Sequence, residues 1–338
     1  MDTSLSRFIC GIPKCELHIH IEGTLEPELM FKLAERNNVN IPYNSVEEVK
    51  KAYEYSDLQG FLDIYYESAR VLINEEDFYD LTMAYLVKAH RDNILHSEIF
   101  FDPQTHTGRG IEFSTVIKGI TRALKEGEEK FGVSTKLIMC FLRDLDENSA
   151  MNTLNTAMQF KEYISAVGLD SAEIGNPPVK FKNVFEAARQ YGFNCVAHAG
   201  EEGPAEYVWE AVNYLKVNRI DHGNRSIDDE ALIKKLAADG IPLTMCPLSN
   251  LKLKVLTDLK EHPVKRMLDL GIIGTINSDD PAYFGGYIND NYLAIAAALN
   301  LQKDDIIKLA KNSFTASFLP QDKKNAFIAL IDAYSKDN

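Results

Sequence analysis

Apolar residues recur along this chain in two alternating rhythms. Short runs rich in β-branched and aromatic residues, at 15–20, 94–101, 136–142, 164–169, 193–197, 217–220, 241–245 and 272–276, predict eight strands. Between them, stretches with apolar positions three and four apart, at 112–131, 181–191, 205–215, 229–238 and 264–270, predict helices. Ser114 and Asp228 supply start signals for two of these, because a short oxygen-bearing side chain can accept from the free N–H groups of a first turn. Eight strands alternating with helices, in about the length such a fold needs, favour an α/β fold of the closed (β/α)8 TIM type over an open doubly wound sheet.

The first crossover is too long for one helix. Runs at 27–37, 45–53, 58–72 and 75–92 predict a helical insertion over about residues 25–92, lying across the barrel mouth where ligand loops sit. Further periodic runs at 303–312 and 322–334 predict C-terminal helices on the outside. With no Pro/Gly/Ser-rich linker and no repeat beyond the βα unit, residues 1–338 read as one barrel domain.

Composition removes several classes. A chain of 338 residues can bury a substantial core without staples. Its 36 Lys and Arg against 50 Asp and Glu give a net charge of −14, and the absence of a basic run argues against a nucleic acid polymer as partner. No stretch reaches eighteen apolar residues, and the N-terminus lacks the basic-then-apolar build of a secretory signal. The expectation is a soluble cytoplasmic protein that meets no membrane, with the nucleus open for a eukaryotic source and homo-oligomerisation undecided. Five cysteines without a CxxC pair read as buried free thiols.

In a barrel the C-terminal strand ends converge on one face, so residues distant in sequence can meet there. The first strand ends in His18-Ile19-His20, the fifth in His198-Ala199-Gly200-Glu201, the sixth in Asp221-His222-Gly223, and the eighth in Asn277-Ser278-Asp279-Asp280-Pro281. His18 and His20, two apart on a strand, share a face. With His198 and Asp279 they make three nitrogens and one carboxylate, a set suited to zinc with a position left for water, although iron or cobalt would accept the same donors. Singly, each has a plain alternative as a hydrogen-bonded core histidine or as a turn carboxylate before Pro281. Together they fall where a barrel gathers ligands. His20-Ile21-Glu22 imitates half of the cytidine-type deaminase signature, but the matching Pro-Cys-x-x-Cys is missing, and Cys246-Pro247-Leu248-Ser249 reverses its order.

Glu16-Leu17-His18-Ile19-His20-Ile21-Glu22-Gly23-Thr24, His198-Ala199-Gly200-Glu201, Asp221-His222-Gly223, Cys246-Pro247-Leu248-Ser249-Asn250 and Asn277-Ser278-Asp279-Asp280-Pro281 together resemble the adenosine/adenine deaminase family of the amidohydrolase superfamily, in order and over nearly the whole chain. The resemblance implies a metal-dependent hydrolase barrel with one zinc ion per chain, held at His18, His20, His198 and Asp279. Binuclear relatives use a modified lysine near the end of the fourth strand, where this chain has Gly168-Leu169-Asp170. In family terms Glu201 protonates the purine N1, His222 orients the attacking water and helps deprotonate it, and Asp280 holds that water and contacts the purine. Elementary chemistry agrees, since replacing the exocyclic amine needs an activated water at C6, a buried acid for the ring nitrogen, and release of ammonia.

Two departures bear on the substrate. Positions that in adenosine deaminases contact the ribose 5′-hydroxyl and lie against the purine are Glu22 and Glu173 here, bulkier groups that could fill ribose volume. The stretches 23–28, 100–104 and 281–287 resemble the adenine deaminase branch, so the expectation is adenine as substrate in purine salvage. Adenosine, an N6-substituted adenine or its nucleotide are alternatives with the same machinery, a nucleotide needing cations such as Arg225, Lys252 or Lys254. A non-enzymatic zinc-binding barrel is the alternative of another class.

Overall fold

The computed structural model describes residues 3–55 and 57–338. Eight strands, β1 (Lys14–His20), β2 (Ile94–Phe101), β3 (Ser134–Leu142), β4 (Ile164–Asp170), β5 (Asn194–Ala199), β6 (Arg219–His222), β7 (Leu243–Met245) and β8 (Gly274–Ile276), lie in sequence order, with every neighbouring pair parallel. The ring is closed by a short seam. His20 N–H donates to the Asp279 carbonyl at 3.0 Å, and Asp279 N–H donates to the His18 carbonyl at 3.1 Å. This is the (β/α)8 barrel that the alternation of strand and helix predicts.

Differences from the sequence expectation are local. The sixth strand begins two residues later than expected, because 205–215 divides into a helix (Ala205–Glu210) and a wide π turn (Ala211–Leu215) that ends at left-handed Lys216. Asp229, not Asp228, caps the helix Glu230–Asp239, its carboxylate accepting from the Ala231 and Leu232 amides. Ser114 lies inside the first turn of Phe113–Phe131 and caps nothing. Helices at Thr3–Gly11, Glu147–Ala157 and Ile288–Leu299 escaped the sequence reading. Four of the cysteines are buried, but Cys10 is exposed. Among the described residues, no helix is long and apolar enough to cross a membrane.

The insertion supplies Pro27–Asn37, Val46–Ala52, Leu58–Ala69 and Glu75–Arg91. Leu58, Phe61, Leu62 and Tyr65 share the buried face of the third of these at helical spacing. That face meets the short helix Pro281–Phe284 after β8, with the Phe61 and Phe284 rings 4.6 Å apart and Phe61 and Tyr283 5.6 Å apart. An aromatic cover thus lies over the C-terminal ends of the strands.

Beneath the site the barrel interior is charged. Arg219 on β6 pairs with Glu98 on β2 at 2.7 Å, both fully buried, and a second guanidinium nitrogen donates to the Leu17 carbonyl at 3.1 Å. Burial alone would raise Glu98, but Arg219 and His96 outweigh it and hold the carboxyl at about 2, against an ordinary 4.5. A carboxyl depressed in this way contributes stability above its unfolded value and loses it as the pH falls toward 2. Replacing Arg219 by Met should therefore destabilise the fold by about 3–5 kcal/mol at neutral pH, because the buried Glu98 carboxylate loses its guanidinium partner. Adding Glu98→Gln to that variant should recover much of the loss and flatten the acid limb between pH 4.5 and 2 in denaturant titrations; equal stability of Arg219→Met and the wild type would contradict the pairing.

Candidate metal and active site

Each histidine of the expected set enters from a strand end with its Nδ1 edge backed by another group. On β1, His18 Nδ1 lies 3.0 Å from Thr244 Oγ1 and 4.0 Å from an Asp221 oxygen, while its Nε2 faces Asp279 Oδ1 at 3.2 Å. His20 Nδ1 is 3.6 Å from Asp170, and its Nε2 lies 3.2 Å from His198 Nε2 and 3.5 Å from Asp279 Oδ1. On β5, His198 Nδ1 is 3.7 Å from the other Asp221 oxygen. Such outer carboxylate and hydroxyl partners fix ring orientation and leave Nε2 as the inward donor atom.

The inward atoms suit a cation. Two imidazole nitrogens face one another at 3.2 Å beside a carboxylate, and the buried His18 Nε2 has no hydrogen-bond partner. Burial and the neighbouring imidazoles push His198 well below its ordinary value, which keeps that ring neutral and its lone pair available. Asp279 is driven the other way: burial would raise it, but the histidines around it, His18 first, hold it well below the usual carboxylate range. Within 4.8 Å of one another lie donor atoms of His18, His198, His222 and Asp279, and likewise of His20, Asp279 and Asp280. The cluster can hold a divalent metal ion.

Around it stand further buried titratable groups. Glu201 is buried on the loop after β5, with Oε1 unpartnered and Oε2 3.5 Å from His222 Nε2. Burial first, then the charges of Asp279 and Glu173, raise its carboxyl well above the ordinary range, which favours its protonated form. His222 ends β6 in the left-handed region (φ 62°), its Nε2 3.6 Å from Asp279, and burial lowers it to about 3. Asp280, raised by burial and by Asp279, packs so tightly on Gly23 that a Cβ there would stand 1.9 Å from its Oδ1. Neighbouring carboxyls shifted in opposite directions are the physical basis of acid–base division of labour.

The pocket that joins these groups is walled by Leu58, Phe61, Leu62, Tyr65, Tyr66, Leu253 and Phe284, with His20, Asp102, Asp170, Ser171, His198, Glu201, His222, Asp279 and Asp280 supplying polar atoms. Glu22 and Glu173 stand behind its wall. Glu173 accepts from the amides of Gly200, Glu201, Glu202 and Gly203 at 2.6–3.1 Å, so its carboxylate is committed to the loop that carries Glu201. Glu22 Oε1 accepts from His106 Nε2 at 2.8 Å and the Asp102 amide at 3.2 Å. Asp102, Asp170 and Tyr65 were not singled out from sequence. One signal was available: Asp102-Pro103 follows its strand as Asp280-Pro281 follows β8, each pair opening a short helix over the barrel mouth.

Comparison with known proteins agrees with this geometry. The adenosine deaminase family pattern matches residues 13–334. The chain is 58% identical over 327 residues to the adenine deaminase of Acinetobacter baylyi, covering 97% of this chain and 98% of that one. The crystal structure of adenine deaminase from Arthrobacter aurescens superposes with a TM-score of 0.95 at 46% identity, over 96% of this chain and 100% of that one. An amidohydrolase from Burkholderia ambifaria with bound zinc superposes with a TM-score of 0.90 at 25% identity, over 100% and 96% of the two chains. With its barrel, its histidine–aspartate cluster and these relatives in agreement, the chain belongs to the adenosine deaminase family of the amidohydrolase superfamily, on the adenine deaminase branch.

Proposed function

We propose that this chain deaminates adenine, converting adenine and water to hypoxanthine and ammonia, with one zinc ion held by His18, His20, His198 and Asp279. The observation that carries the reading is the placement of the buried Glu201, its carboxyl pushed upward by that burial, in the same pocket as the imidazole–carboxylate cluster. The full-length relatives named adenine deaminase support the substrate, and the zinc of the Burkholderia amidohydrolase supports the metal. Bound zinc supplies Lewis acidity, which lowers the pKa of a water to about 7.

The remaining chemistry belongs to side chains. Glu201 donates its proton to the purine N1, so that ring negative charge is neutralised as water adds at C6. His222, neutral at pH 7, takes up the proton of the attacking water, and Asp280 holds that water and the purine edge beside it. His222 then passes that proton to the amine, the C6–N bond breaks and ammonia leaves, while N1 keeps the proton from Glu201 and the C6 hydroxyl gives up its hydrogen to return Glu201 to its protonated form. Leu58, Phe61, Leu62 and Phe284 cover the faces of the base and exclude bulk water, which strengthens each electrostatic contact inside.

The pocket wall also bears on the alternatives. Among the described residues neither Lys nor Arg lines it, whereas Asp102, Asp170, Glu201, Asp279 and Asp280 do, so a nucleotide phosphate would meet carboxyls and no cation there. Lys252 and Lys254 line a separate cleft beside Tyr55, and Arg225 pairs with Asp228 at 2.8 Å.

Glu201→Gln should lower kcat for adenine about 10²–10⁴-fold with zinc content and thermal midpoint unchanged, measured by ammonia release and metal analysis; near wild-type turnover would remove Glu201 from the reaction. Chelation should abolish ammonia release and lower the thermal midpoint by several degrees, because an ion that binds only the folded chain stabilises it, and zinc should restore both. Full activity of metal-free protein is the contrary outcome.

A further inference from the structure

The loop that carries Glu201 leaves the barrel where two strands part. β4 and β5 pair only through Ala166 with Asn194 and Val167 with Cys195, whereas β5 stays paired to β6 as far as Ala199 with His222. Beyond Cys195 the β4 side of β5 has no strand ladder to satisfy its backbone, and buried side chains do so instead. Arg143, fully buried directly after β3, donates from Nη1 to the His198 carbonyl at 2.6 Å and from Nε to the Asn176 carbonyl at 2.9 Å. The Asn176 N–H in turn donates to the Glu173 carbonyl at 3.0 Å, and the Glu173 carboxylate takes the four amides from Gly200 to Gly203. These contacts close a circuit that runs from His198 through Arg143 and Asn176 to Glu173, and from the Glu173 carboxylate back to the loop at Glu201. Lys180 braces it from outside, donating to the Arg143 carbonyl at 2.8 Å.

We infer that Arg143 and Glu173 are positioning residues for the reaction, and that together they set where the Glu201 carboxyl stands relative to His198. The inference rests on the deamination reading above, in which Glu201 donates to the ring nitrogen and His198 holds the metal. Neither Arg143 nor Glu173 is among the residues that wall the pocket, so both act through the loop. Only Ala199 and Gly200 separate His198 from Glu201, and Gly200 turns through the left-handed region at φ 72°. The Glu201 side chain has little of its own to fix it, since Oε1 has no hydrogen-bond partner and Oε2 lies 3.5 Å from His222. Its place is therefore set by its backbone, which the circuit holds. Proton transfer needs hydrogen-bond reach, and a displacement of about 1 Å can cost about a hundredfold in rate. The bulk at position 173 thus serves the acid and not the ribose edge of the pocket.

The test is a double-mutant cycle on zinc-loaded protein, following ammonia release well below the thermal midpoint of each variant, with kcat counted per bound zinc. Glu173→Gln, which sets an amide NH2 among the loop N–H groups, and Arg143→Met, which removes the guanidinium, should each lower kcat for adenine about a hundredfold and leave KM within about threefold. Arg143→Lys keeps a donor for the His198 carbonyl and should recover part of that loss. In a Glu201→Gln background the same two changes should lower kcat less than about threefold further, because residues that act through one group are not additive. Equal factors in the two backgrounds overturn the inference, since they mark a general loosening of the fold. So does a wild-type kcat per bound zinc in the single variants. Should one of the two proteins fail to fold, the other and Arg143→Lys decide. Wild type that deaminates adenosine and not adenine overturns the adenine reading alone, and the cycle is then read on adenosine; release of ammonia from neither overturns both.

Discussion

The seam between β8 and β1 is the interaction on which the rest depends. The two backbone hydrogen bonds that close the ring are made by His18, His20 and Asp279, residues whose side chains build the histidine–aspartate cluster able to hold a divalent metal ion. β8 spans only Gly274–Ile276, and Asp279 reaches β1 from beyond its end in a left-handed conformation, φ 65°. That backbone, uncommon for a residue other than glycine, directs N–H and C=O to β1 and the carboxylate to the imidazoles. Side chains finish the seam where the backbone ladder is absent. Asn277 Oδ1 accepts from the Leu17 amide at 2.8 Å, and Glu16 accepts from the Ser278 amide at 3.1 Å. Barrel closure and ligand geometry are therefore one constraint.

Around that seam, burial sorts carboxyls by the partners each can find. Asp279 stays ionised among histidines and Glu98 stays ionised on Arg219, while Glu201 and Asp280, lacking a comparable cation, are pushed up toward their neutral forms. Glu173 meets its need with four backbone amides instead, and Gly203 makes room for it, since a Cβ there would stand 2.7 Å from that carboxyl group. The effect on chemistry is indirect but specific. The loop bearing Glu201 is tied down by a buried acceptor, so Glu201 is presented with its Oε1 free of any hydrogen bond.

Much of this was legible in the sequence, for physical reasons. Strand period and β-branching marked all eight strands, because a fully buried parallel strand has little besides packing to satisfy. His18-Ile19-His20 declared a shared face through the strand period of two, and the terminal motifs of β5, β6 and β8 fell where a barrel gathers its loops. Pairings across the ring were not legible. Nothing near Glu173 in sequence shows that its partners are amides some thirty residues on, and nothing near Glu22 shows His106 and Asp102. Long-range hydrogen bonds leave no local period. The same limit hid the pocket wall, since Leu58, Phe61 and Leu62 look like any amphipathic helix until the aromatic cover over the mouth is in place.

The most direct test of the central claim is ammonia release from adenine and from adenosine, measured side by side on protein of determined zinc content. The expected result is rapid, stoichiometric formation of hypoxanthine and ammonia from adenine with one zinc per chain, and little or none from adenosine. Faster release from adenosine, or none from adenine in zinc-replete protein, would contradict it.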